Sequence, residues 1–150
     1  MARIGYLLDT NILSEPVAAR PNTSVLENIK AHRASLAIAS VTWQEIVYGM
    51  LLLPEGRRRE QIKDYLFRRI RPALPIIGFD ESAAQWQAEQ RAALRQAGKT
   101  ASYPDSQIAA IAAVNDLVLV TRNVDDFSEF EGLRTQNWFE ENPVEPPNND

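Results

Sequence analysis

The stretch Ile4-Gly5-Tyr6-Leu7-Leu8-Asp9-Thr10-Asn11-Ile12-Leu13 decides how the rest of the chain is read. An apolar run of strand length stops at Asp-Thr-Asn and then turns apolar again. That is the pattern of a buried strand delivering a carboxylate to its carboxyl end. A single strand-end Asp most often serves as a helix cap. It gains chemistry only if other carboxylates converge on the same edge.

Outward from this strand the pattern alternates between helix and strand. Ser14-Glu15-Pro16 interrupts any continuing helix, and Pro21-Asn22-Thr23-Ser24 supplies turn and cap residues. Val25, Leu26, Ile29 and Ala34 then recur at helical spacing, predicting a helix over Thr23–Arg33. Ser35–Val41 is short, small and apolar and suits a second buried strand. Thr42-Trp43-Gln44-Glu45 has the capping-box pattern and opens a helix through Ile46, Val47, Met50 and Leu51.

Pro54-Glu55-Gly56 closes that helix. The basic segment beyond it reads as another, with Ile62, Tyr65, Leu66 and Ile70 as its apolar stripe. Ile76–Phe79 is a brief third strand. Asp80 or Ser82 caps a long helix over Glu81–Gln96, ended by Gly98, whose Ala84, Ala88, Arg91, Ala92 and Arg95 suggest a lightly packed, partly solvated face. Pro104 fits the first turn of a helix containing Ile108, Ala109, Ile111 and Ala112. Leu117–Thr121 is the clearest β run, and a last edge strand is expected near Leu133–Gln136. Residues 1–139 read as one domain, and the Pro-, Asn- and acid-rich 140–150 as a disordered tail. Strands alternating with helices predict an α/β sandwich with a mainly parallel sheet.

Bulk properties narrow the function classes. The 150 residues suffice for a sizeable core, and 45% hydrophobic with 24% charged is ordinary for a globular chain. The absence of cysteine excludes a disulfide scaffold, a thiolate zinc site and a cysteine nucleophile. Neither a signal-peptide pattern nor a membrane-length apolar run is present, so a soluble, cytoplasmic protein is expected. The net charge of −4 argues against a generic nucleic-acid coat, yet charge is segregated: Glu55–Arg71 holds seven basic residues against three acids, and Asp125–Asp150 eight acids against one arginine.

In a parallel α/β fold, helix N-termini and strand C-termini share the edge where ligands bind. Asp9 ends the first strand, and Glu45 lies in the first turn of the helix after the second. Asp105 lies in the first turn of the helix before the fourth, and Asn123, Asp125 and Asp126 follow that strand. Each has an ordinary reading as a cap or a helix-dipole partner. Their apolar surroundings are left unexplained, because three carboxylates at the margin of a core repel each other unless a cation neutralises them. Oxygen ligands without His or Cys suit Mg²⁺ or Mn²⁺, one ion or two, and that chemistry supports hydrolysis of a phosphodiester. His32, the only histidine, reads as a surface residue, so a two-histidine mechanism is unavailable.

Taken together, Leu8-Asp9-Thr10-Asn11, Ser40–Ile46 with Gly49 behind it, Asp105–Ala110 and Leu119–Phe127 resemble a PIN-domain ribonuclease, and within that superfamily the VapC- and FitB-like toxins of toxin–antitoxin pairs. The resemblance implies a three-layer α/β/α sandwich with a central sheet of four to five strands. It implies a metal-dependent endoribonuclease with Asp9, Glu45 and Asp105 as the acidic triad and metal ligands, an RNA substrate, a small antitoxin partner and a homodimer. The family's fourth acidic position is Asn123 here, so Asp126 or Asp125 takes over the role, and Asp126 is ranked with the catalytic residues. Thr10, Asn11, Thr121 and Asn123 are supporting residues.

Arg57, Arg58 and Arg59 are candidate RNA contacts, although Glu55 and Glu60 among them fit a solvated face equally well. Tyr48, Met50, Leu51 and Leu52 exceed what one helix face needs and suit either an interface or the core. Two rival readings remain: a catalytically idle PIN fold acting as a binding module, and an aspartyl-phosphate phosphatase-like domain that uses Asp9 as nucleophile.

Overall fold

Tyr6–Leu8 forms β1, the middle strand of a five-stranded sheet in a computed structural model that describes residues 3–140. Leu36–Ala39 (β2) and Val118–Val120 (β4) flank it, and the two-residue strands Ile76–Ile77 (β3) and Thr135–Gln136 (β5) close the edges, in the order β3-β2-β1-β4-β5. Every pairing is parallel. The inner strands are buried on both faces, which is why they read as unbroken apolar runs and not as alternating ones.

Alternate residues of each strand divide between two cores. Tyr6, Leu8, Leu36, Ile38, Val118 and Val120 pack with Val25, Ile46, Met50, Leu66 and Trp138 on one face. Leu7, Ala37, Ala39 and Leu119 pack on the other with Ile108, Ala109, Ala110, Ile111 and Ala112. Alanines stand on both sides of this second contact, Ala37 and Ala39 on the sheet and Ala109, Ala110 and Ala112 on the helix. The helices are α1 (Thr10–Leu13), α2 (Thr23–Ala31), α3 (Ser40–Leu52), α4 (Arg57–Asp64), α5 (Glu81–Gln96) and α6 (Tyr103–Val114), and they make the three-layer α/β/α sandwich. No helix among the described residues is long and apolar enough to cross a membrane.

Several local expectations hold closely. α5 spans Glu81–Gln96, and Asp80 is its cap, its Oδ1 accepting from the Ala83 N–H at 2.9 Å. At the other end Gly98, at φ 74°, lets Lys99 N–H reach Leu94 O and Gly98 N–H reach Arg95 O. This left-handed turn satisfies the last carbonyls and would strain any side chain with a Cβ.

Others are corrected. β2 ends at Ala39 and α3 begins at Ser40, so Val41 is helical and Thr42 is not a cap. The Thr42 side chain is buried and its Oγ1 has no hydrogen-bond partner. The parallel ladder explains the boundary: β2 has partners on β1 only as far as Leu8 opposite Ile38, and where pairing stops the helix starts. α2 stops at Ala31. His32 is not a simple surface residue; its ring stacks on Trp138 and lies 4.7 Å from the Tyr6 ring. The basic helix widens into a π-helical turn over Tyr65–Ile70, with Arg71 N–H bonded to Leu66 O. Its Tyr65 hydroxyl donates to Leu13 O at 2.7 Å. Glu140 is anchored at the domain by Ser24 Oγ donating to its carbonyl, and the remainder of the expected tail, 141–150, lies outside the described residues.

Candidate active site at the carboxyl edge of the sheet

Asp9 follows β1 directly, its N–H still bonded to Val120 O at 2.9 Å. The residue is only 8% exposed. Its Oδ1 accepts from Thr10 N–H at 2.8 Å, the N-cap bond of α1, and its Oδ2 accepts from the Thr121 hydroxyl at 2.8 Å. Capping a four-residue helix requires neither that burial nor a partner 112 positions away. Thr121 follows β4 directly, so the bond ties together the ends of the two central strands. The same Thr121 Oγ1 accepts from Asn123 N–H, and Asn11 Oδ1 accepts from Arg122 N–H, which fixes the turn after β4 against the turn after β1.

Glu45 arrives from the second turn of α3, not from the first turn as expected, because the helix starts at Ser40. Relieved of the capping role, its Oε2 accepts from the Thr10 hydroxyl at 3.1 Å. Asp105 lies in the first turn of α6, where Ser102 Oγ accepts from its N–H at 3.1 Å. That cap belongs to a Ser102-Tyr103-Pro104-Asp105 pattern legible in the sequence as a helix start. The buried Gln87 of α5 completes the support, its Nε2 donating to Ser106 Oγ at 2.8 Å while Ser106 Oγ donates to Tyr103 O. No motif would have singled out Gln87, because its role depends on α5 and α6 running antiparallel side by side.

Electrostatics show which acids sense one another. Burial is the largest cause holding Asp9, Glu45 and Asp105 each above the usual carboxylate range. Hydroxyl and amide donors pull them part of the way back: Thr121 and Thr10 for Asp9, Thr10 for Glu45 and Ser102 for Asp105. Neighbouring carboxylates push them up again. Asp126 acts on Asp9 and on Asp105, and Glu45 senses both Asp9 and Asp105. Of the two acids in the turn after β4 (Val124–Phe127), it is therefore Asp126 whose charge reaches the site, from an exposed position. Asn123 contributes a backbone N–H.

Arg57, Arg58 and Arg59 open α4, beyond the end of α3 remote from its N-terminus, and are not part of this cluster. The donor set is all oxygen. Among the described residues no three His, Asp or Glu side chains form a ready ligand cage. Oxygen donors are what a hard cation that keeps much of its water, such as Mg²⁺, takes.

A sequence model of the PIN domain matches residues 6–133, from β1 through the turn after β4. The chain belongs to the PIN-domain family. Plasmid stability protein StbB of Pseudomonas syringae pv. tomato is 35% identical over 137 residues, covering 89% of this chain and 98% of the relative. The tRNA(fMet)-specific endonuclease VapC of Shigella flexneri is 31% identical over 135 residues, covering 89% and 97%. Other relatives bear the names ribonuclease VapC2 and toxin FitB. Among solved structures, FitAB bound to a DNA fragment superposes with a TM-score of 0.85 at 26% identity, over 93% of this chain and 99% of that one. The PIN match encloses Asp9, Glu45, Asp105 and Asp126, so all four acids belong to the shared fold and none to an appendage.

Proposed function

We propose that this PIN domain is a Mg²⁺- or Mn²⁺-dependent endoribonuclease, the toxin of a toxin–antitoxin pair acting on RNA in the cytoplasm. One observation carries the reading: Asp9 is buried just past the central strand with both carboxylate oxygens held by donors, and Glu45, Asp105 and Asp126 lie near enough for their charges to add to the cost of that burial. Such an arrangement costs stability unless a cation joins it. The names of the relatives, an endonuclease of tRNA among them, supply the substrate class.

A bound divalent ion supplies charge neutralisation at the phosphodiester and acidity to the attacking water. Asp9, Glu45 and Asp105 would hold it, in part through its retained water. With one hydrogen bond on each Asp9 oxygen, each oxygen keeps acceptor capacity for a further partner. Thr121 and Thr10 fix the Asp9 and Glu45 carboxylates in orientation, Ser102 fixes the turn that carries Asp105, and Asp126 assists from the rim. The phosphatase-like alternative calls for a second Asp two residues after the nucleophile, and Asp9-Thr10-Asn11 has Asn there.

The face of α3 supports the partner expectations. Met50 is core, whereas Tyr48, Leu51 and Leu52 stand 58%, 53% and 67% exposed in a small apolar cluster suited to a homodimer or an antitoxin.

The test compares purified protein with its Asp9→Asn and Glu45→Gln variants on total RNA, with and without Mg²⁺ or Mn²⁺. Either substitution is expected to slow cleavage by at least about a hundredfold, several kcal/mol of metal-assisted stabilisation being lost. Cleavage that persists in either variant, or without metal, overturns the mechanism. No cleavage under any condition favours the idle binding module.

A further inference from the structure

Two basic surfaces stand out, and they differ in how their charge is used. On α4 and the π-helical turn, the groove lined by Arg57, Lys63 and Arg68 also holds Glu60 and Asp64, and Arg68 is paired with Asp64 at 3.2 Å. On the carboxyl half of α5 the groove is lined by Ala88, Arg91, Ala92, Arg95, Lys99 and Thr100, with no acid along its wall. Arg91 and Arg95 lie one turn apart on the same face of α5, and Lys99, just beyond the turn at Gly98, lines the same groove. Lys99 is shared with Glu129 at 2.8 Å, whereas Arg95 has no partner among the described residues. The alanines between them keep the floor low.

This stripe ends at the acidic edge. Gln87 meets Ser106 and Arg91 meets Tyr103, so the carboxyl half of α5 lies beside the first turn of α6, the turn that carries Asp105. Tyr103 is 52% exposed, and the Arg91 guanidinium sits 4.8 Å from its ring centre, steadying the ring. Half of a large aromatic ring left in solvent, next to a cationic groove and two residues from a site carboxylate, has the two components single-stranded nucleic acid requires: a stacking platform and a phosphate track.

We propose that Tyr103 and the Arg91–Arg95–Lys99 groove bind the single-stranded RNA flanking the scissile bond, one base stacking on Tyr103 and the backbone following α5. This rests on RNA being the substrate, as argued above. It assigns the substrate path to α5 and not to Arg57–Arg59.

The probe is a fluorescently labelled, unstructured RNA oligonucleotide, with binding read by anisotropy on an Asp9→Asn background that prevents cutting. Arg91→Gln with Arg95→Gln should weaken binding roughly tenfold and make the log–log salt slope shallower by about 1.4, two phosphate contacts on a single strand. Tyr103→Ala should weaken binding roughly tenfold and Tyr103→Phe should restore it. The triple Arg57→Gln, Arg58→Gln, Arg59→Gln variant should change the affinity less than twofold. Melting temperatures of these exposed variants should match the parent.

An unchanged affinity and salt slope in the Arg91/Arg95 variant overturns the proposal. So does a Tyr103→Phe variant as weak as Tyr103→Ala, or an RNA duplex or acidic peptide bound as tightly as the single strand. If protein with Asp9 intact cuts RNA while Arg91→Gln/Arg95→Gln leaves its KM unchanged, only the α5 path falls. If it neither cuts nor binds RNA, the ribonuclease reading falls with it.

Discussion

At the start of β1, Tyr6 packs against both His32 and Trp138, with ring centres at 4.7 and 5.3 Å. Just past the end of the same strand, Asp9 is buried beside carboxylates that repel it. The first environment is cohesive and serves only the fold. In the second, buried Asp9 and half-buried Glu45 are held by hydroxyl and amide donors that orient them without cancelling their charge. Local rules are broken at one end of a strand and obeyed at the other, which is where a functional site is expected to show itself. The two ends should therefore respond in opposite directions to mutation, cation and acid.

The largest effect is expected at the cohesive end. Trp138 is fully buried, and its Nε1 donates to Gln136 Oε1 at 3.0 Å. Trp138→Ala should cost about 3–5 kcal/mol, read as a lower urea midpoint, while the protein that remains folded still cuts RNA. A smaller loss than at an ordinary surface site would break the contrast from this side.

At the acidic end the sign reverses. Asp9→Asn should raise the melting temperature of the metal-free protein by about 2–4 °C for each kcal/mol of repulsion relieved, although it abolishes cleavage. Adding Mn²⁺ should raise the melting temperature of the unmutated protein and leave Asp9→Asn nearly unmoved. An Asp9→Asn protein that melts lower than its parent without metal would show that Asp9 serves the fold after all. Smaller again is Ser102→Ala, which removes the cap under Asp105. A loss of about 1 kcal/mol is expected in thermal unfolding, together with a weaker Mn²⁺-induced shift. A full Mn²⁺ shift in that variant would mean that Asp105 does not depend on its cap.

Much of this contrast is legible in the sequence, for a physical reason. The apolar run ending in Asp9, the periodicity of α5 and the β run of Leu117–Thr121 are local patterns, and parallel α/β topology then places strand ends and helix starts on one edge. What sequence reading loses is set by contacts distant in the chain. Thr42 has the pattern of a cap, yet α3 starts two residues earlier, where β2 runs out of partners. His32 is isolated in sequence and finds its aromatic neighbours only once the chain has returned at Trp138. The seven basic residues of Glu55–Arg71 draw attention by number. The groove on α5 is made by only three cations, one of them paired with Glu129, and becomes visible when α6 brings Tyr103 beside them.

The smallest effect, and the one that tests both ends at once, is the dependence of stability on pH. Burial holds His32 below its ordinary 6.5, so below that pH the unfolded chain takes up more protons and stability is lost as pH falls through this window. Asp9, Glu45 and Asp105 lie above their ordinary 3.8 to 4.5, so in the window just above those values the folded chain takes up more protons and stability is gained as pH falls. Metal-free protein titrated downward from pH 7 should first lose stability and then recover part of the loss, read from urea midpoints at each pH. His32→Phe keeps an aromatic ring on Trp138 without the titration and should remove the early loss alone. Asp9→Asn should keep that loss and diminish the recovery. If His32→Phe retains the early loss, the histidine is not its source. If Asp9→Asn retains the full recovery, the repulsion at the acidic edge does not centre on Asp9.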